Sequence, residues 1–147
     1  MKTKNNIQVK DRYNSHLHKG VKKLLPELLS KYEVTEDFRI ITHDFGKVVG
    51  RSYCVETRPT DRITFMKRPN RQGRTRFVLN RKPEFCNFVT IMLSKKEDGY
   101  IILTAFVGKR SEPEIWDERA FEKDERGYNA AKVASNEFWS THALIKE

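Results

Sequence analysis

The chain has 147 residues, with 33% charged and 37% hydrophobic side chains and a formal net charge of +9. This length suits one domain with its own core, and an aromatic content of 11% argues against a disordered chain. Two cysteines are too few for a disulfide scaffold. No apolar run approaches the roughly 20 residues of a membrane span, and the first residues lack the apolar stretch of a signal peptide. We therefore expect a cytoplasmic protein with free thiols that uses no membrane.

The amino-terminal part of the chain divides into a polar segment and a periodic one. Residues 1–17 are polar, so we predict a flexible N-terminus, followed by a single α+β domain over residues 18–147. In HKGVKKLLPELLSKYEV, apolar residues recur at the i, i+3, i+4, i+7 spacing of an amphipathic helix. Pro26 should kink this helix or lie in a first helical turn, because it has no backbone N–H.

From residue 37 to about residue 108 the hydrophobic period changes to two, which predicts β-strands. The strand-like stretches are FRIITH, VVGRSYCVET, DRITFMKR, TRFVLNR, NFVTIMLSK and YIILTAFVG. In the last hairpin, a three-residue loop with Gly99 in the left-handed conformation would pair Lys96 with Tyr100 and Met92 with Thr104. That register places Ile101 and Leu103 in the core. It also places Thr90 and Thr104 together on a more open face.

The carboxy-terminal part begins with an acidic, irregular connection over residues 109–126. The following stretch, GYNAAKVASNEFWSTHALIKE, predicts a helix that ends near Thr141, after which HALI forms a short strand. Its expected apolar stripe consists of Ala130, Val133, Ala134 and Phe138. The predicted fold is therefore α+β, with an N-terminal helix and a C-terminal helix packed on a four- to five-stranded antiparallel sheet.

The positive charge is concentrated between residues 51 and 82, where only Glu56 and Asp61 oppose ten arginines and lysines. Arginine suits phosphate oxygens, and the interleaved Tyr53, Phe65 and Phe77 suit base stacking. The pattern predicts contact with RNA. The candidate RNA-binding residues are Lys47, Arg51, Arg68, Arg71, Arg74, Arg76, Asn80 and Arg81.

Metal-independent RNA cleavage needs a base, an acid and cations that stabilise the phosphorane. His43 ends a strand at a glycine-containing loop, and His142 follows the predicted helix, so either histidine could transfer the protons. Thr104 is a candidate hydrogen-bond donor, which completes the catalytic set His43, His142 and Thr104. The sequence contains no phosphate-binding glycine loop, zinc-ligand pattern or compact carboxylate cluster. We therefore expect neither a cofactor nor a metal.

Several segments together resemble a known family. They are GKVVGRSYCVET, DRITFMKRPNRQGRTRFVLNR, VTIMLSK with YIILTAFVG, the pair Trp116-Asp117, and FWSTHAL. Over residues 37–145 the chain resembles small bacterial toxins of the barnase–EndoU–colicin–RelE-like ribonuclease superfamily. The resemblance implies metal-free cleavage that leaves a 2′,3′-cyclic phosphate, and an acidic antitoxin or immunity protein as partner. Family members use His, Arg, Lys, Glu, Thr or Tyr on the sheet face, which matches His43 and Thr104, while His142 lies in the closing motif.

The leading hypothesis is a toxin-like endoribonuclease, as part of a toxin–antitoxin system. A non-catalytic nucleic-acid-binding module would carry the same arginines and would not need its histidines. A basic domain that docks an acidic protein is the third interpretation, and it predicts negligible affinity for RNA at about 0.15 M salt.

Overall fold

The computed structural model describes residues 1–11 and 18–146. In chain order its elements are β1 (Val9–Asp11), α1 (Lys19–Lys22), α2 (Leu25–Leu29), β2 (Phe38–Asp44), β3 (Gly50–Ser52), β4 (Cys54–Glu56), β5 (Ile63–Lys67), β6 (Arg74–Val78), β7 (Glu84–Cys86), β8 (Phe88–Lys96), β9 (Gly99–Val107), α3 (Glu118–Glu122), α4 (Tyr128–Thr141) and β10 (His142–Ile145). The chain divides into two compact units. Unit 1 comprises Met1–Arg51 and Phe85–Arg110, and unit 2 comprises Ser52–Glu84 and Ser111–Glu147.

The α+β class is confirmed, but the prediction of a single antiparallel sheet is wrong. One four-stranded sheet has the order β1-β9-β8-β2, another has the order β4-β10-β6-β5, and β3 pairs with β7. β1 runs parallel to β9, and β10 runs parallel to β6. Helices do not form the described ends of the chain, because β1 precedes α1 and β10 follows α4. Local periodicity predicts strands, but it does not predict which strands pair across long sequence separations.

The core of unit 1 forms where the helices α1 and α2 supply apolar side chains to the sheet β1-β9-β8-β2. Pro26 lies in the first turn of α2, so the predicted helix is split into two short helices. Their buried residues, which match the predicted stripe, are Val21, Leu25, Leu28 and Leu29. The predicted flexible segment, residues 1–17, lies partly outside the described residues. Within residues 1–11, Val9 is buried in this core and Val9–Asp11 pair with β9.

The hairpin of β8 and β9 shows why the predicted register is only half right. Lys96 pairs with Gly99 across a two-residue turn, and a bulge between Met92 and Leu93 restores the predicted pairing of Met92 with Thr104. Tyr100 and Ile102, rather than Ile101 and Leu103, are therefore buried. Gly99 is not needed for a left-handed turn. A Cβ on it would lie 2.5 Å from the backbone oxygen of Gln8, so glycine permits the close approach of the chain beside β1.

The core of unit 2 is small and consists of Val55, Val78, Ala143 and Ile145, with Ile63 packed against them. α4 ends at Thr141 and β10 follows at once, as predicted. The predicted stripe of α4 is partly wrong, because the helix buries Ala131 and Ser135 while Val133 is 56% exposed. Ser135 is tolerated in this position because its hydroxyl donates to the carbonyl of Pro113 at 2.7 Å. Across the described ranges of the chain, no helix combines the length and the apolar character that crossing a membrane requires.

Candidate nucleic-acid interface

The predicted site residues are divided between the two units. His43, Lys47, Arg51 and Thr104 belong to unit 1, whereas His142 belongs to unit 2. Unit 2 also contains the remaining candidates, Arg68, Arg71, Arg74, Arg76, Asn80 and Arg81. Neither unit by itself contains both His43 and His142.

In unit 1, His43 lies within an aromatic cluster. Its Nδ1 is 2.8 Å from the hydroxyl of Tyr32, and its ring packs edge-on against Tyr32 and Phe45. Its Nε2 is buried and has no hydrogen-bond partner among the described residues. The geometry therefore favours a packed histidine over one that exchanges protons with a ligand.

The other unit 1 candidates are in separate environments. Lys47 is exposed in the loop after β2, and the guanidinium of Arg51 lies 5.2 Å from the ring centroid of Phe85. Thr104 is half-buried opposite Met92. Thr90, which was expected on the open face, is fully buried and donates to the carbonyl of Gly108 at 2.8 Å.

Unit 2 contains a cleft of about 270 Å³ between the hairpin of β5 and β6 and the end of α4. Arg74 and Arg76 are two residues apart in β6, so their side chains lie on the same face of the strand. Phe65 on β5 pairs with Arg76. The residues that line this cleft are Phe65, Arg74, Arg76, Glu114, Ile115, Asn136, Trp139 and Ser140. Of the three aromatic residues that the sequence places among the arginines, Phe65 lines this cleft and Phe77 is buried, whereas Trp139 is an aromatic residue of the cleft that the sequence did not predict.

His142 does not line this cleft, but its backbone oxygen accepts from Nη1 of Arg76, a cleft residue, at 2.9 Å. The ring of His142 stacks on Phe138 at 4.0 Å, and its Nδ1 lies 3.0 Å from the carbonyl of Phe138. Nδ1 also lies 2.9 Å from Thr141 Oγ1. Because a carbonyl only accepts hydrogen bonds, the contact with Phe138 is a hydrogen bond in the tautomer that carries its proton on Nδ1, and in that tautomer Nε2 is the basic nitrogen.

Sequence reasoning missed Glu114, which is the centre of a hydrogen-bonded cluster with Arg68, Thr75 and Trp116. Its Oε1 is paired with the guanidinium of Arg68, and its Oε2 accepts from Thr75 Oγ1 at 2.8 Å and Trp116 Nε1 at 2.9 Å. The side chain of Glu114 is 13% exposed. An acidic residue two positions before Trp116 is the available signal, but the sequence predicts only an acidic, irregular connection over residues 109–126.

Two other candidates in unit 2 are bound to protein groups. Arg81 forms an ion pair with Asp61 at 2.8 Å, with side chains 10% and 2% exposed. Burial disfavours ionisation of Asp61, but donation from the Arg58 backbone N–H and from Arg81 outweighs it, so the pKa of Asp61 is lowered. Asn80 accepts from the backbone of Arg62 and donates to the carbonyl of Thr60. Arg81 and Asn80 therefore hold the loop before β5.

The pKa of the Cys54 thiol responds to its burial and to the negative charge of Glu114. Burial, and secondly the negative charge of Glu114, raise the pKa of the Cys54 thiol to about 11. In a Cys86→Ser variant, which leaves one thiol, we expect iodoacetamide to alkylate the native protein at pH 8 about a hundredfold more slowly than an ordinary thiol. Denaturation in urea should restore the ordinary rate. Rapid alkylation of the folded protein at pH 8 would contradict this assignment.

The part of the chain that the structure describes contains no group of three or more His, Cys, Asp and Glu side chains arranged to hold a metal ion. Comparisons with protein-family models, curated proteins and solved structures give no match to the chain.

Proposed function

We propose that this chain is a metal-independent endoribonuclease that holds RNA in the unit 2 cleft. The observation that carries the proposal is the placement of Arg74 and Arg76 on one strand face, opposite Phe65 and beside Trp139. Guanidinium groups hold phosphate oxygens, and aromatic rings stack on bases. The resemblance to toxin ribonucleases supports the same function, and with it a cytoplasmic toxin controlled by an acidic antitoxin.

His142 is the proton-transferring residue of this proposal. In the tautomer whose Nδ1–H donates to the carbonyl of Phe138, Nε2 accepts the proton of the attacking 2′-hydroxyl. The 5′ oxygen that leaves phosphorus then takes a proton from this imidazolium or from water. Arg76 donates to the backbone oxygen of the same residue, which joins the end of α4 to the arginines of the cleft. His43 has no part in the proposed site, because its Nε2 is buried in unit 1.

The test is incubation of purified protein with total RNA in EDTA. We expect cleavage products that end in 2′,3′-cyclic phosphate, and a rate reduced about a hundredfold or more by His142→Ala, because a positioned acid or base contributes that much. His43→Ala is the matched comparison, and it should retain cleavage. Intact RNA with the native protein, or full activity of His142→Ala, would refute the enzymatic proposal.

RNA binding without cleavage is the second candidate function. It is favoured because several of the candidate catalytic and RNA-binding side chains already form hydrogen bonds or ion pairs within the protein. Both candidates predict that Arg74→Ala/Arg76→Ala flattens the slope of log K against log[salt] by about 1.4, or about 0.7 per phosphate contact on a single strand. Lys123→Ala/Lys146→Ala removes the same charge from exposed residues outside the cleft lining and serves as the control. Equal slopes for the two double variants would place the RNA elsewhere.

A further inference from the structure

The aromatic wall of the unit 2 cleft is preorganised. The indole N–H of Trp139 is shared between the carbonyls of Glu112 and Pro113, each at 3.1 Å, so the ring is fixed by two backbone groups. The ring of Phe138 also packs edge-on against it, with the ring centroids 5.0 Å apart. Phe65, on the opposite strand hairpin, is 55% exposed although it is large and apolar. A fixed indole and an exposed phenyl ring in one small cleft suggest that a flat, apolar ligand covers them.

The polar groups of the cleft restrict the kinds of ligand that it can bind. Arg74 and Arg76 provide positive charge at the cleft, which suits phosphate. Asn136 and Ser140 donate one hydrogen bond each to carbonyls of their own helix, at Lys132 and Glu137, which leaves two acceptor oxygens and the second amide N–H of Asn136. A volume of about 270 Å³ is just below the range of about 300–1,000 Å³ typical of small-molecule pockets. A nucleotide combines a flat ring, an adjacent phosphate, and hydrogen-bond donors and acceptors on the ring edge.

We propose that the unit 2 cleft takes one unpaired base of an RNA strand, stacked on Trp139 with Phe65 as the second wall. Arg74 and Arg76 hold the phosphates that flank this base. The proposal rests on the proposed RNA-binding function and names its substrate class, which is single-stranded RNA. A base within a duplex is stacked between its neighbours and cannot enter without the cost of unstacking.

The experiment measures binding and tryptophan fluorescence with a 2′-O-methyl RNA oligonucleotide, which cannot be cleaved through a 2′-hydroxyl. The single strand should bind at least tenfold more tightly than the same sequence in a duplex, and it should quench the fluorescence. Quenching should disappear in Trp139→Phe and persist in Trp116→Phe. Phe65→Ala should weaken binding about fivefold or more, which is the loss of one stacked base. Met66→Ala, at the neighbouring exposed position, is the control and should bind normally.

The possible outcomes separate this proposal from the function on which it rests. Equal affinity for duplex and single strand, with unquenched fluorescence and a salt slope that depends on Arg74 and Arg76, overturns the base site but leaves RNA binding in place. Absence of binding to either form overturns both proposals. Single-strand preference with quenching that depends on Trp139 supports the base site even if no RNA is cleaved.

Discussion

Gly73→Ala should destabilise unit 2 by about 3 kcal/mol. A Cβ on Gly73 would lie 2.1 Å from Cδ1 and 2.2 Å from Cγ of Trp116, which is far inside van der Waals contact. The indole cannot move freely, because its Nε1 donates to Glu114 at 2.9 Å. Overpacking of this kind typically costs about 1–3 kcal/mol, and a clash with a hydrogen-bonded ring belongs at the upper end of that range.

Both tryptophans of the chain lie in unit 2, so urea denaturation followed by tryptophan fluorescence reports on this unit. The matched control is the same substitution in a Trp116→Ala background. There the ring atoms Cγ and Cδ1 are absent and only the Cβ contact at 2.7 Å remains, so Gly73→Ala should cost about 1 kcal/mol. An equal cost in both backgrounds would show that the destabilisation arises from something other than Trp116.

The elements that the sequence predicts well are those set by neighbouring residues. The end of α4 at Thr141 and the start of β10 follow from a change of period within a few residues. The position of Pro26 in a first helical turn follows from its missing N–H. Such features depend on local backbone chemistry, so they need no knowledge of the remaining chain.

The pairing of the strands could not be predicted in the same way. The parallel pairs, β1 with β9 and β6 with β10, join segments far apart in sequence. Parallel pairing requires a long connection rather than a turn, and no local residue pattern marks it. Gly99 illustrates the consequence, since its glycine is explained by a close approach to Gln8 and not by the adjacent turn.

The arginine-rich stretch, residues 51–82, shows that the sequence also could not predict which charged side chains belong to the candidate site. Arg74 lines the cleft and Arg81 forms a buried ion pair with Asp61, although both belong to the same basic run. Composition predicts how much charge the stretch carries, whereas the partner of each guanidinium depends on tertiary contacts. Glu114 was missed for the same reason, because its partners Arg68 and Thr75 lie about forty residues earlier in the chain.

Glu114→Ala should destabilise unit 2 by about 3 kcal/mol. The substitution leaves the fully buried hydroxyl of Thr75 and the indole N–H of Trp116 without their acceptor, and it leaves Arg68 without its counter-charge. Breaking a buried pair costs about 3–5 kcal/mol, but Arg68 is 33% exposed and water replaces part of the lost interaction. Glu114→Gln keeps the shape and one acceptor, so we expect a smaller loss of about 2 kcal/mol.

A double-mutant cycle with Arg68→Met separates the ion pair from the remaining hydrogen bonds. If the charge of Arg68 matters, the two substitutions together should cost less than the sum of their separate costs, because each removes the same interaction.

In the Cys86→Ser background, Glu114→Gln should also lower the pKa of Cys54, since one cause of its elevation is removed. Burial, the larger cause, remains, so the pKa should stay above that of an ordinary thiol. Additive costs together with an unchanged Cys54 titration would mean that Glu114 is not the charged centre of this cluster.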